Sequence, residues 1–150
     1  MEKVLILRIK NDLTKFFNTS DYVYNHSLRV YHSVLNHYPN NSLSLAIIAI
    51  LHDVVEDTEY NLEKLKNMYF NDFCGFLGNT ETNLIFNAID VITRKKDETY
   101  TDYINRVKLN KYATIVKILD LEDNLFSCYK DKNISLSKRY LKALKTIFNL

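Results

Sequence analysis

The chain predicts an all-α fold, a single compact bundle of about seven helices, on three observations. Apolar residues recur at i, i+3 and i+4 through most of the 150 residues. Only two Gly and one Pro interrupt them, too few for a turn-rich β architecture. No segment alternates apolar and polar residues between turn signals, as a half-buried strand would. Folding at this length hides roughly 70% of the surface of the unfolded chain, so one core suffices. Residues 1–150 therefore read as a single domain.

The elements follow in order. Val4, Leu5, Ile9, Leu13, Phe16 and Phe17 mark a first helix; Leu28, Val30 or Tyr31, and Leu35 mark a second. Residues 43–58 begin apolar almost all round, the pattern of a central, buried helix. Residues 61–70, 82–93, 99–107, 112–129 and 135–148 also carry helical periodicity. Breaks are expected at Thr19, Ser20 and Asp21, at "YPNNS" (38–42) and at "CGFLGNTET" (74–82).

Composition narrows the function classes. Twenty basic residues face 18 acidic ones, for a net charge of +2, and no block of like charge suggests a nucleic-acid partner. Cys74 and Cys128 stand far apart without zinc-finger spacing, and so read as reduced thiols of a cytoplasmic protein. Arg8, Lys10 and Asp12 break the apolar start, unlike a signal peptide, and no run approaches the roughly 20 apolar residues of a membrane span. Eleven Tyr and eight Phe suit a core and an interface equally well, which leaves the oligomeric state open.

Chemistry concentrates in "LHDVVEDTE" (51–59). With residues 45–58 on one helical wheel, Ile47, Ile50, Leu51, Val54 and Val55 gather on one side, and His52, Asp53, Glu56 and Asp57 spread over the other. Imidazole nitrogen beside carboxylate oxygen suits Mn²⁺, Fe²⁺ or Zn²⁺. Glu56 and Asp57, one turn on, are placed to take a proton from an activated water. The plainer alternative is a solvated helix end, but three acids at the negative end of a helix dipole repel one another unless a cation compensates them.

Two further stretches add to this pattern. In "IVKILDLEDNLF" (115–126), Ile115, Ile118, Leu119, Leu125 and Phe126 form a core face, with Lys117, Asp120 and Asn124 beside it. Asp120 lies between two leucines near the core boundary, where its charge needs a partner: a metal, or simply Lys117. In "YNHSLRV" (24–30), His26 opens the polar side of an amphipathic helix. His32 and His37 have no matching partners and read as structural.

The order His26, His52-Asp53, Asp120 resembles the H…HD…D signature of the HD superfamily of metal-dependent phosphohydrolases, an all-helical fold. "YNHSLRV" is similar to YIxHPLxVA, "AILHDVVEDT" to ALLHDVVEDT and "VKILDLEDNL" to VKLADxxxN of the RelA/SpoT-type alarmone hydrolases. "VITRKKDETYTDYINRVKLN" resembles the LTRxxGExYxxYIxRV stretch of their small stand-alone members, so that the likeness spans about residues 20–128.

The resemblance implies His26, His52, Asp53 and Asp120 as ligands of one Mn²⁺-type ion, with Fe²⁺ or Zn²⁺ as alternatives. It makes Glu56 and Asp57 the acids that position and deprotonate the attacking water, and Asn124 a contact to the nucleotide sugar. The reaction implied is removal of the 3′-pyrophosphate from (p)ppGpp or a relative such as ppApp. Lys117, Arg94, Lys95 or Lys96, and Arg29 are candidates to face the phosphates, and each suits a plain charged surface as well.

No synthetase half follows the last motif, so degradation alone is expected. The chain departs from the family at "FFNTSDYVY" (16–24), which is short and lacks the basic residue that reads the base, and at Ser27, where Pro is usual. The expected partner is a small nucleotide, with neither nucleic acid nor membrane involved. Alternatives are an HD phosphohydrolase for a nucleoside monophosphate or NADPH, and a non-catalytic HD module that only binds.

Overall fold

The computed structural model describes residues 2–40 and 42–150. Among them it contains nine helices and no strand: α1 (Glu2–Phe16), α2 (Tyr22–His37), α3 (Ser42–Leu51), α4 (Val54–Asp57), α5 (Leu62–Leu77), α6 (Asn79–Ile92), α7 (Tyr100–Val107), α8 (Lys111–Lys130) and α9 (Ile134–Phe148). The all-α expectation holds.

Side chains start four of these helices. Asn61 accepts from the Lys64 amide, Thr99 from Asp102, Asn110 from Ala113 and Asn133 from Leu136, so each satisfies an amide that the helix itself cannot. Asp21 precedes α2 differently, because its carboxylate accepts from the Asn18 amide and makes no bond into the helix.

The hub is α3. Residues 45–51, "LAIIAIL", are all buried, because α1, α2, α6 and α8 pack around this helix. A helix enclosed on every side gains from being apolar on every side, which accounts for its composition. Around it, Leu5, Ile9 and Leu13 of α1, Val30 and Val34 of α2, and Ile85 and Ile89 of α6 complete the core. The stacked rings of Tyr69, Phe73 and Phe86 join α5 to α6.

Three local readings need correction. Residues 45–58 do not form one helix: it is interrupted at His52 and Asp53, which sit in a turn between α3 and α4. The break expected over 74–82 shrinks to Gly78, whose φ of +80° ends α5. This conformation suits a residue without a Cβ, whereas Gly75 stays helical inside α5. On α8 the buried face runs through Ala113, Val116, Leu119, Asp120, Leu121 and Cys128, while Phe126 is exposed. Because α8 packs against α2, α3, α6 and α9, its buried face is broader than a single stripe, and Asp120 lies inside it rather than at its edge.

Candidate metal centre

Three elements bring the candidate ligands together. α2 supplies His26, the α3–α4 turn supplies His52 and Asp53, and α8 supplies Asp120. Breaking the helix at His52 and Asp53 puts these two side chains at the end of the most deeply buried element, and the apolar packing of α3 fixes their backbone.

One potential ligand atom each from His26, His52 and Asp120 lies within 4.8 Å of the others, and all three residues are buried. His26 Nε2 is 2.9 Å from Asp120 Oδ1, and His52 Nε2 is 3.8 Å from the same oxygen. Asp53 Oδ2 approaches from the more open side, 3.1 Å from His52 Nε2 and 3.7 Å from His26 Nε2. Two imidazole nitrogens and two carboxylates thus converge on one small volume.

Both rings are oriented from behind. His26 Nδ1 faces Asp123 Oδ2 at 2.7 Å, and His52 Nδ1 faces the Ala49 carbonyl at 2.8 Å. With those partners accepting, each Nδ1 carries the hydrogen and each Nε2 turns its lone pair toward the shared volume, as a metal ligand requires. His52 Nε2 is buried without any hydrogen-bond partner, a costly state for a polar atom unless something else completes it. Imidazole and carboxylate donors around an orphaned nitrogen fit a divalent ion of the Mn²⁺, Fe²⁺ or Zn²⁺ kind.

The electrostatics point the same way. Burial alone would lower the His52 pKa, but the negative charges of Asp53 and Asp120, 3.1 and 3.8 Å from Nε2, outweigh it and hold the ring well above its usual value. His26 is raised likewise, with Asp120 and Asp123 overcoming burial. Burial would raise the Asp120 carboxyl, yet Lys117 first and then the two imidazoles hold it well below the usual range. Positive charge is stabilised here, and a metal ion would displace protons to take its place.

Above the ligands opens a cavity of about 230 Å³. His26, Asp53 and Asp120 form part of its wall, with Glu56 and Asp57 from α4, Lys117 and Asn124 from α8, Arg94 from the α6–α7 loop, and Tyr22, Tyr100, Arg139 and Tyr140. Lys117 Nζ stands 2.6 Å from Asp120 Oδ2, and Asn124 Nδ2 donates to Asp120 Oδ1 at 2.6 Å. The exposed Glu56 accepts the Arg94 amide through Oε2 at 3.0 Å. Asp57 is exposed at the rim, and partial desolvation, Asp53 and Glu56 push its carboxyl up to about 6. Larger hollows of about 430 and 500 Å³ lie elsewhere, and neither gathers imidazole and carboxylate groups.

Lys95, expected toward the phosphates, does not border this cavity. Its ammonium pairs with Asp90 at 2.6 Å, the nearer carboxylate on the same loop and helix end. Arg29 is taken up by Asp123 through two bonds of 2.8 and 2.9 Å. Sequence reasoning missed Asp123, which stands three residues after Asp120 on the same α8 face. It also missed Tyr22, Tyr100, Arg139 and Tyr140, which only tertiary packing brings to the cavity.

Neither a scan against protein-family models nor a search of the curated proteins finds a match to this chain. The centre is therefore a possible His/His/Asp divalent-metal site in an all-helical protein. Among the described residues no helix is long and apolar enough to cross a membrane.

Proposed function

We propose that the protein is an HD-type metal-dependent phosphohydrolase that removes the 3′-pyrophosphate from (p)ppGpp or a related alarmone such as ppApp. The observation that carries this reading is the convergence of His26, His52, Asp53 and Asp120 around an unpartnered buried nitrogen, beneath a cavity walled by both acids and cations. The motif likeness over residues 20–128 supplies the substrate class.

In this reading His26, His52, Asp53 and Asp120 hold one Mn²⁺-type ion. When bound, that ion supplies the Lewis acidity that makes water a nucleophile at neutral pH. Asp123 and the Ala49 carbonyl keep both Nε2 atoms turned inward. Glu56 and Asp57 orient the attacking water and accept its proton; in the metal-free chain partial desolvation, Asp53 and Glu56 raise the Asp57 carboxyl. Lys117, Arg94 and Arg139 face the phosphates, while Asn124 and Tyr22 approach the sugar. A second cavity of about 250 Å³ shares Tyr22, Asn124 and Tyr140 with the first and is lined also by Ser127, Asp131 and Asn133, polar groups suited to a nucleobase.

A substrate panel in Mn²⁺, resolved by chromatography, tests the proposal. Pyrophosphate release from ppGpp or ppApp is expected, with nucleoside monophosphates and NADPH untouched. Release from neither alarmone would remove the reading.

A further inference from the structure

The α6–α7 loop, residues 93–99, carries Arg94 and packs against the cavity, and two residues outside the proposed machinery close it. Arg106 of α7 donates through Nε and Nη2 to the two oxygens of Glu98 at 2.7 and 2.6 Å. The same guanidinium donates to the Val91 carbonyl at 2.7 Å and to the Thr93 carbonyl at 3.1 Å, both at the end of α6. Glu98 in turn accepts the Lys95 amide at 3.1 Å, and its carbonyl takes two bonds from the Arg94 guanidinium, at 2.9 and 3.1 Å. Apart from the bond to Val91, which ties α7 to α6, these contacts join one end of the loop to the other, or the loop to α7.

The loop has one outward consequence: the Arg94 amide, held by this frame, donates to Glu56 Oε2. Glu56 is exposed and sits on a helix of only four residues, so its own element does little to fix it. A planar guanidinium that meets a carboxylate at two points and two carbonyls besides is a rigid brace, since its donors are set in a fixed fork.

We propose that Arg106 and Glu98 are positioning residues, which act through the shape of loop 93–99 to fix Arg94 and, through its amide, the Glu56 carboxylate at the cavity. The assignment rests on the hydrolase reading for its kinetic consequence but not for its structural one. Misplacing a catalytic group by about 1 Å can cost on the order of a hundredfold in rate, so the brace should matter to turnover while leaving the metal ligands alone.

The full chain with Arg106→Ala, Arg106→Lys or Glu98→Gln tests this through three readouts: hydrogen exchange at the Arg94 amide, affinity for Mn²⁺ and for inorganic pyrophosphate, and kcat and KM on ppGpp and ppApp. In Arg106→Ala and Glu98→Gln the Arg94 amide should exchange at least about tenfold faster and kcat should fall at least about tenfold, with KM and Mn²⁺ affinity within about threefold of wild type. Arg106→Lys, which keeps the charge and loses the fork, should lie between, and circular dichroism confirms that each variant is folded. Unchanged Arg94 exchange in Arg106→Ala would overturn the proposal, as would unchanged kcat in an active enzyme. Should the wild type release pyrophosphate from neither nucleotide, the hydrolase reading fails separately. Faster Arg94 exchange together with weaker pyrophosphate binding would then still uphold the brace, and unchanged values would refute it.

Discussion

Among the described residues two aspartates are buried, Asp12 and Asp120, and their surroundings differ in one instructive respect. Asp12 of α1 is 6% exposed, and each of its oxygens has a donor: Lys15 Nζ at 2.5 Å and the Tyr69 hydroxyl at 2.9 Å. Arg8 stands 3.8 Å away and also pairs with Asp72, so that α1 is tied to α5 by a finished network. Asp120 of α8 is 2% exposed; its Oδ1 is held by His26 and Asn124, while its Oδ2 lies 2.6 Å from Lys117 Nζ without a well-formed hydrogen bond. Around it, however, a second carboxylate and a second imidazole crowd in, and His52 Nε2 has no partner. Buried polar networks are stabilising when every member is satisfied and expensive when one is not. The first cluster explains itself as a fastening between helices, whereas the second leaves buried polar atoms unpaired in an arrangement that could hold a divalent ion.

That contrast breaks most sharply at the ligands. Asp120→Asn and Asp53→Ala should abolish metal retention and hydrolysis while keeping the helical circular dichroism, whereas Asp12→Asn should leave Mn²⁺ binding intact and cost about 1–3 kcal/mol of stability. If Asp12→Asn also empties the site, the two clusters are not independent.

Metal removal comes next. A bound ion at a hundred times its dissociation constant stabilises by about 2.7 kcal/mol, and each kcal/mol shifts the midpoint of a domain this size by roughly 2–4 °C. EDTA should therefore lower Tm by about 5–10 °C in wild type and in Asp12→Asn, and by nothing measurable in Asp120→Asn. A smaller effect is expected at Asp123, which touches His26 and not the shared volume. Asp123→Asn should weaken Mn²⁺ about 10–100-fold, measured by calorimetry. No change would mean that the ring needs no support from behind.

The smallest effect has the opposite sign. Partial desolvation, with Asp53 and Glu56 behind it, raises the Asp57 carboxyl to about 6 from an ordinary value of 3.8, so ionising it costs the fold stability that is present below about pH 4 and lost as pH rises through 6. Asp57→Asn should thus stabilise the metal-free protein at pH 7, by less than about 1 kcal/mol because solvent screens this exposed group. The same change should remove activity, and a lower Tm would show that Asp57 is structural.

Much of the site lay in the sequence, because its residues come in short local groups. His52, Asp53, Glu56 and Asp57 fall within six positions, and Lys117, Asp120 and Asn124 share one helix face. What periodicity alone misjudged was the helix itself. A wheel assumes continuity, and tertiary demands at His52 and Asp53 override it with a turn. Gly75 illustrates the opposite error, since an exposed glycine carried inside α5 by the helical residues on either side looks in the sequence like one that ends a helix. Arg139 and Tyr140 were illegible because α9 reaches the cavity only by folding back on α8. Lys95 looked as eligible as Arg94 next to it, and only the rotation of the loop, which turns Lys95 to Asp90, separates them.

The central claim is that the incomplete cluster holds an ion. Purified protein loaded with Mn²⁺, passed through a desalting column and assayed for metal tests it most directly. One Mn²⁺ per chain in wild type and in Asp12→Asn, with none in Asp120→Asn, is the predicted result. A wild-type chain that emerges empty, or an Asp120→Asn chain that emerges full, would contradict it.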